Sequence, residues 1–192
     1  MDYRNRTITV YTAQSNEVVN IIRETGCYYV KREYIVRKYG IISDVFLRAY
    51  RWYSDQASLV VPRPEPAESA VWTFLNPQYV EQYPGSTVLK LQIPVQEAVF
   101  FRMSDWNKVL NLRYVGDRAE EEAFAGELKR QGIHDETDVY LKPYYPRLKK
   151  QLIASWEQLF RYDEVVKSTC KPEFEDMQAG VWCLKKEWIR IC

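Results

Sequence analysis

Arg6-Thr7-Ile8-Thr9-Val10-Tyr11-Thr12, followed by Ala13, Gln14 and a second pattern that opens at Ser15 and closes at Gly26, is the stretch that decides the fold. Residues 6–12 alternate and are rich in β-branched side chains, which predicts a strand with Ile8 and Val10 on one face. The period then changes. Ser15 is a good N-cap, Val18, Val19 and Ile22 recur at helical spacing, and Gly26 supplies a terminator, so a helix of about three turns follows the strand.

The same reading extends outward. Cys27 to Val30 suits a short strand, while the basic and apolar segment from Tyr34 to Tyr39 is left unassigned. From Ser43-Asp44 the recurrence of Phe46, Leu47, Tyr50, Tyr53 and Ala57 predicts a helix ending near Ser58. Pro62, Pro64 and Pro66 make an extended connector, because each proline biases its predecessor away from helix. Strands are expected at Ala70–Leu75, Thr87–Ile93 and Ala98–Phe101, so the middle of the chain is a sheet. Ser104-Asp105 reads as the cap of a short helix reaching Leu110. Residues 117–131 pattern as an amphipathic helix whose early glutamates and late Lys129-Arg130 match the helix dipole. A helix with Pro146 in its first turn runs to about Tyr162, with Leu148, Leu152, Trp156, Leu159 and Phe160 as its apolar face. Residues 163–177 read as a polar loop, and the chain closes with a strand at 178–184, a turn of helix and a short terminal strand. The expected class is α+β: a single domain over 1–192, with a central mixed or antiparallel sheet and flanking helices.

A chain of 192 residues is long enough to bury a real core. Its formal charge of +1 leaves no global field to hold a polyanion or an anionic membrane, so any nucleic-acid contact would be local. The 15 tyrosines and 6 tryptophans suit an aromatic core or a stacking surface for a ring-bearing ligand. Cys27, Cys170, Cys183 and Cys192 are scattered, with no C-x-x-C pair, which argues against zinc and for reduced thiols. Met1-Asp2-Tyr3-Arg4 leads into a strand instead of an apolar run, and no stretch approaches a membrane span. A cytoplasmic protein is expected, with no membrane partner and no metal.

The common catalytic motifs for nucleotide and metal chemistry are missing. His134, the one histidine, sits beside Asp135 in an expected exposed connection. Glu120-Glu121-Glu122 reads as a solvated helix start. The acidic run ending at Asp176 leads directly into the closing strand, where Asp176, Gln178, Gly180 and Trp182 fall on one side by alternation. Acid, amide, no side chain and indole would leave a notch for a planar ligand; an ordinary core strand with a glycine bulge is the other reading. Lys31, Arg32, Arg37 and Lys38, interleaved with Tyr28, Tyr29, Tyr34 and Tyr39, suit either a solvated face or a local nucleic-acid contact.

Tyr11-Thr12-Ala13-Gln14, Ala49-Tyr50-Arg51-Trp52, Val71-Trp72-Thr73-Phe74, Ser155-Trp156 and Gln178-Ala179-Gly180-Val181-Trp182 together resemble the bacterial family called domain of unknown function 3841, over nearly the whole chain. A weaker resemblance is to the ADP-ribosyltransferase superfamily. It is carried by Val10-Tyr11-Thr12, the helix closed by Gly26, Val71-Trp72-Thr73, Val88 to Pro94, and Gln178. That resemblance implies a split sheet and NAD as co-substrate, with ADP-ribose passed to an unknown acceptor, protein or nucleic acid, in a toxin or defence role. It implies Gln178 and Asp176 as the catalytic pair, with Thr12, Gln14, Tyr50, Trp72 and Thr73 around the ribose and nicotinamide. Two departures stand out. Thr12 lacks the charge or ring nitrogen of the usual His or Arg, and Gln178 is neutral where most transferases have a glutamate. The alternative is a non-catalytic module that binds a protein, nucleotide or nucleic acid.

Overall fold

Six strands pair antiparallel throughout, in the computed structural model, which describes residues 6–31, 33 and 43–190. They are β1 (Thr7–Ser15), β3 (Val71–Phe74), β4 (Ser86–Pro94), β5 (Ala98–Arg102), β6 (Met177–Val181) and β8 (Ile189–Arg190), in the order β5-β6-β3-β1-β4-β8. A separate two-stranded ladder joins β2 (Cys27–Tyr28) to β7 (Leu184–Lys185). The fold is α+β, with helices flanking the main sheet.

The sheet is not evenly zipped. β1 runs against β4 along its whole length, from Thr7 opposite Pro94 to Ser15 opposite Ser86. β3 pairs with β6 from Val71–Val181 to Phe74–Gln178, and β6 continues into β5. Between these halves, β1 and β3 share the single pair Tyr11–Phe74. Beyond it they part, and the Thr12 hydroxyl bridges the gap by donating to the Trp72 carbonyl at 3.1 Å.

Strand alternation divides the core into two layers. On β5, Val99 and Phe101 join one apolar cluster, with Tyr53, Trp106, Leu152 and Trp156, while Ala98 and Phe100 join the other, with Val10, Ile22, Leu91 and Ala179. β5 is buried on both faces, which is why it reads as a continuous apolar run. Helices α2 (Ser43–Val60), α3 (Met103–Leu110), α4 (Arg118–Arg130), α5 (Glu136–Leu141) and α6 (Pro146–Ser155) supply the first layer. α1 (Asn16–Thr25) and α7 (Asp163–Thr169) supply the second, through Val19, Ile22 and Val166.

Local chemistry explains the predicted elements that form. The Ser15 side chain accepts from Val18 N, and Gly26 closes α1 at φ 86°, a left-handed conformation that suits glycine. Asp117 and Glu120 make a reciprocal capping box at the start of α4.

Several expectations are corrected. Residues 163–177 do not form a loop throughout: α7 occupies 163–169, and its Asp163 and Lys167 are buried because Lys167 Nζ meets Asp163 Oδ2 at 2.6 Å while Asp163 Oδ1 accepts from Phe100 N at 2.8 Å. The helix expected from Pro146 to Tyr162 ends at Ser155 and tightens into a 3₁₀ segment, Trp156–Phe160. α5, capped by Asp135 through Thr137 N, was not expected as a helix at all. Ser104-Asp105 is not the cap of α3, since both lie inside its first turn; Asp105 is buried and paired with Arg161 at 2.9 Å. The expected closing strand at 178–184 is broken into β6 and β7. The unassigned segment at Tyr34 to Tyr39, the basic residues Arg32, Arg37 and Lys38, and Cys192 lie outside the described residues.

Candidate functional site

Where β1 and β3 part, the sheet opens a cleft of about 570 Å³. Its walls come from both halves: Thr12, Gln14 and Ser15 at the end of β1, Glu17, Val18 and Ile21 on α1, Tyr50 on α2, and Val71, Trp72 and Phe74 on β3. Tyr28, Tyr79, Glu81 and Tyr83 line it as well. The position follows from the register: a ladder that stops after one pair leaves backbone edges that side chains must cover.

Two polar and two aromatic side chains are held in place there. Gln14 Nε2 donates to Thr12 Oγ1 at 2.8 Å, which leaves the Gln14 amide carbonyl as an acceptor. Trp72 Nε1 donates to the Tyr50 hydroxyl at 3.1 Å, and the two rings sit tilted with centroids 5.5 Å apart. The indole is therefore fixed at its polar end while it lines the cleft. Tyr79 and Tyr83 add rings from the segment before β4.

Charge in the cleft is of one sign. Glu17 and Glu81 line it, and among the described lining residues there is no lysine, arginine or histidine. A ring carrying positive charge would meet favourable partners in the carboxylates and the aromatic faces.

Four of the residues singled out from sequence, Thr12, Gln14, Tyr50 and Trp72, thus meet in this cleft. Thr73 does not: it is fully buried and its hydroxyl donates to Ala179 O at 2.9 Å. Gln178 is 4% exposed, opposite Phe74 and Phe101, and its side-chain oxygen is buried with no partner among the described residues. Because Tyr11 is the residue in register with Phe74, Thr12 projects from the opposite face of the sheet to Gln178.

Asp176 lies just before β6 and is engaged structurally. Arg102 Nε donates to its Oδ1 at 3.0 Å, and Ser104 N donates to its Oδ2 at 3.2 Å, so Asp176 caps α3 from a distant part of the chain. Burial works to raise its pKa, but the hydrogen bonds from Ser104 and Arg102 outweigh it and hold the carboxyl below its ordinary value. It stays ionised at neutral pH, paired to a guanidinium.

The notch expected beside Gly180 is filled. A Cβ on Gly180 would stand 2.1 Å from the Tyr53 hydroxyl oxygen, so the missing side chain makes room for a tyrosine of this chain and not for a ligand. Tyr53 is 1% exposed, packed against Trp72, Phe101 and Trp106, and burial, then the Asp163 carboxylate, pushes its phenol well above the ordinary range. β6 carries no bulge here; it pairs continuously on both sides.

Sequence reasoning missed Tyr28, Tyr79, Glu81 and Tyr83 as parts of this wall. Residues 76–85 are rich in Pro and Gly, and nothing in their spacing says that the turn folds back over the end of β1. His134 is exposed between α4 and α5, away from the cleft walls. Among the described residues no group of three or more His, Cys, Asp or Glu could hold a metal ion, and no helix is long and apolar enough to cross a membrane.

No curated protein and no solved structure matches the chain, so the likeness to ADP-ribosyltransferases gains no support from either comparison. A family model does match, over residues 9–190, from the third residue pair of the β1–β4 ladder to the end of β8. The chain belongs to the family described as domain of unknown function DUF3841.

Proposed function

We propose that the cleft between β1 and β3 binds NAD or a related nucleotide by its nicotinamide–ribose end, on an ADP-ribosyltransferase-like domain. The observation that carries this reading is the convergence of Thr12, Gln14, Tyr50 and Trp72, from three separate elements, at the break in the sheet. An indole and a phenol suit a planar ring, and the adjacent hydroxyl and amide suit the hydroxyls of a ribose. The carboxylates of Glu17 and Glu81 complement a pyridinium ring.

Transfer of ADP-ribose breaks the bond between nicotinamide and ribose C1′, with the electron pair leaving on the ring nitrogen and an acceptor oxygen or nitrogen forming the new bond at C1′. Positive charge develops on the ribose, so a nearby carboxylate accelerates the step. The carboxylates that line this cleft are Glu17 and Glu81; Asp176 is occupied by Arg102 and Ser104, and Gln178 is walled off. Those two placements favour a second reading, in which the cleft holds its nucleotide without turnover and the domain serves as a binding module for a protein or nucleic-acid partner. The wider setting proposed is cytoplasmic, in a toxin or defence role. The free thiols of Cys27, Cys170 and Cys183 are compatible with a reducing compartment.

Thermal shift with nicotinamide riboside and NAD, on the wild type and on Trp72→Ala, tests the binding claim. Release of nicotinamide and transfer of label from NAD separate turnover from binding. A wild type that neither binds nor consumes NAD rejects the proposal, and binding without nicotinamide release selects the second reading.

A further inference from the structure

An aromatic, acidic cleft cannot by itself hold a dinucleotide, because the diphosphate needs positive charge or several hydrogen-bond donors. A second hollow, of about 280 Å³, adjoins it and has the opposite character. Tyr50 lines both, and Ser69, which lines the second, is followed in the chain by Ala70, which lines the first.

Arg51 and Arg63 line this hollow, both are exposed, and neither makes an ion pair among the described residues. Of its two carboxylates, Glu68 is neutralised by Lys31 at 3.2 Å, which leaves Asp55 as the opposing charge. Two hydroxyl residues lie deeper. Ser54 and Ser69 are 4% and 2% exposed, and the Ser69 oxygen is buried with no partner among the described residues. A buried hydroxyl without a partner costs stability unless something fills its place, and a phosphate oxygen accepts from hydroxyl and guanidinium alike.

We propose that the hollow formed by Arg51, Arg63, Ser54 and Ser69 is a phosphate subsite that takes the diphosphate of a nucleotide whose ring end lies against Tyr50 and Trp72. This deepens the nucleotide reading above and rests on it for the identity of the ring, though not for the anion. Arg51 reaches from α2, the helix that also supplies Tyr50, so one rigid element positions the ring contact and one phosphate contact.

The test is calorimetric titration of the full chain with three probes: sodium pyrophosphate, nicotinamide riboside and NAD. The wild type and Arg51→Gln/Arg63→Gln are compared, with circular dichroism to verify folding. The double variant is expected to bind pyrophosphate and NAD about tenfold more weakly or worse at low salt, with nicotinamide riboside unchanged. Ser69→Ala, which removes the orphan hydroxyl, is expected to weaken pyrophosphate and to leave nicotinamide riboside alone. If the wild type does not hold pyrophosphate, or the double variant holds it as well as the wild type, the subsite is overturned whatever the other probes do. If pyrophosphate behaves as expected and nicotinamide riboside does not bind the wild type, the phosphate subsite stands and the ring assignment above falls.

Discussion

Replacing Gly180 by alanine tests how the centre of the sheet is packed, because the sign of the effect depends on one distant side chain. The backbone at Gly180 is ordinary strand, and where there is room a Gly→Ala change there stabilises by about 0.4–1 kcal/mol through the unfolded chain. Room is lacking. The new Cβ would meet the Tyr53 hydroxyl oxygen at 2.1 Å, its Cζ at 2.9 Å and Trp72 Cζ3 at 3.1 Å. Tyr53 cannot swing away, since its ring is held between Trp72 and Trp106 with centroids at 4.8 and 5.4 Å. Overpacking of this kind costs about 1–3 kcal/mol, so Gly180→Ala is expected to lose about 1–2 kcal/mol net, at roughly 2–4 °C in Tm per kcal/mol for a chain of this size. Tyr53→Phe behaves differently. Its hydroxyl is buried without a partner among the described residues, so removing it costs nothing or gains about 1 kcal/mol. In the double variant the closest contact is gone and the penalty for alanine falls by about 1 kcal/mol, a coupling that urea unfolding of all four proteins resolves as a double-mutant cycle. Gly180→Ala as stable as the wild type, or equally costly with and without the Tyr53 hydroxyl, would refute this account of the sheet.

Two further outcomes follow from buried charge. Lys167→Met leaves Asp163 buried without its cation and is expected to cost about 3–5 kcal/mol at neutral pH. Burial already raises the Asp163 pKa in the folded chain, against the pull of Lys167, so the penalty is smallest below the unfolded value of about 3.9 and grows as pH rises through the folded value; urea midpoints from pH 4 to 7 check this, and a deficit independent of pH would contradict it. Asp176 shows the opposite sign. Its folded pKa is held down, so its contribution is complete above about pH 3.9 and disappears as pH falls through the folded value. Asp176→Asn should therefore lower stability at pH 7 and flatten the acid limb, and an unchanged acid limb would place the acid sensitivity elsewhere.

The elements legible in the sequence are those whose signals are local. Ser15, Gly26 and the apolar positions between them define α1 without help from the rest of the chain, and Asp117 with Glu120 does the same for α4. α7 is hidden because Asp163 and Lys167, charged residues of the kind that normally mark solvent, neutralise one another in the core. The cap of α3 is hidden because Asp176 reaches it across 72 residues. At the candidate site, strand parity correctly puts Gln178 and Gly180 on one face. It cannot say that Tyr53 fills the space over Gly180, or that β1 and β3 separate after one pair and so bring Thr12 to a cleft that Gln178 does not line. Those facts depend on where the ladder stops and on which helix lies above it.

The central claim is that the break between β1 and β3 is a ring- and ribose-binding cleft, and titration with nicotinamide riboside, which carries no phosphate, tests it most directly. Saturable binding by the wild type, lost in Trp72→Ala and weakened in Thr12→Val while both variants keep a wild-type circular dichroism spectrum, is the result the structure predicts. No binding by the wild type, or binding that Trp72→Ala leaves intact, would contradict it.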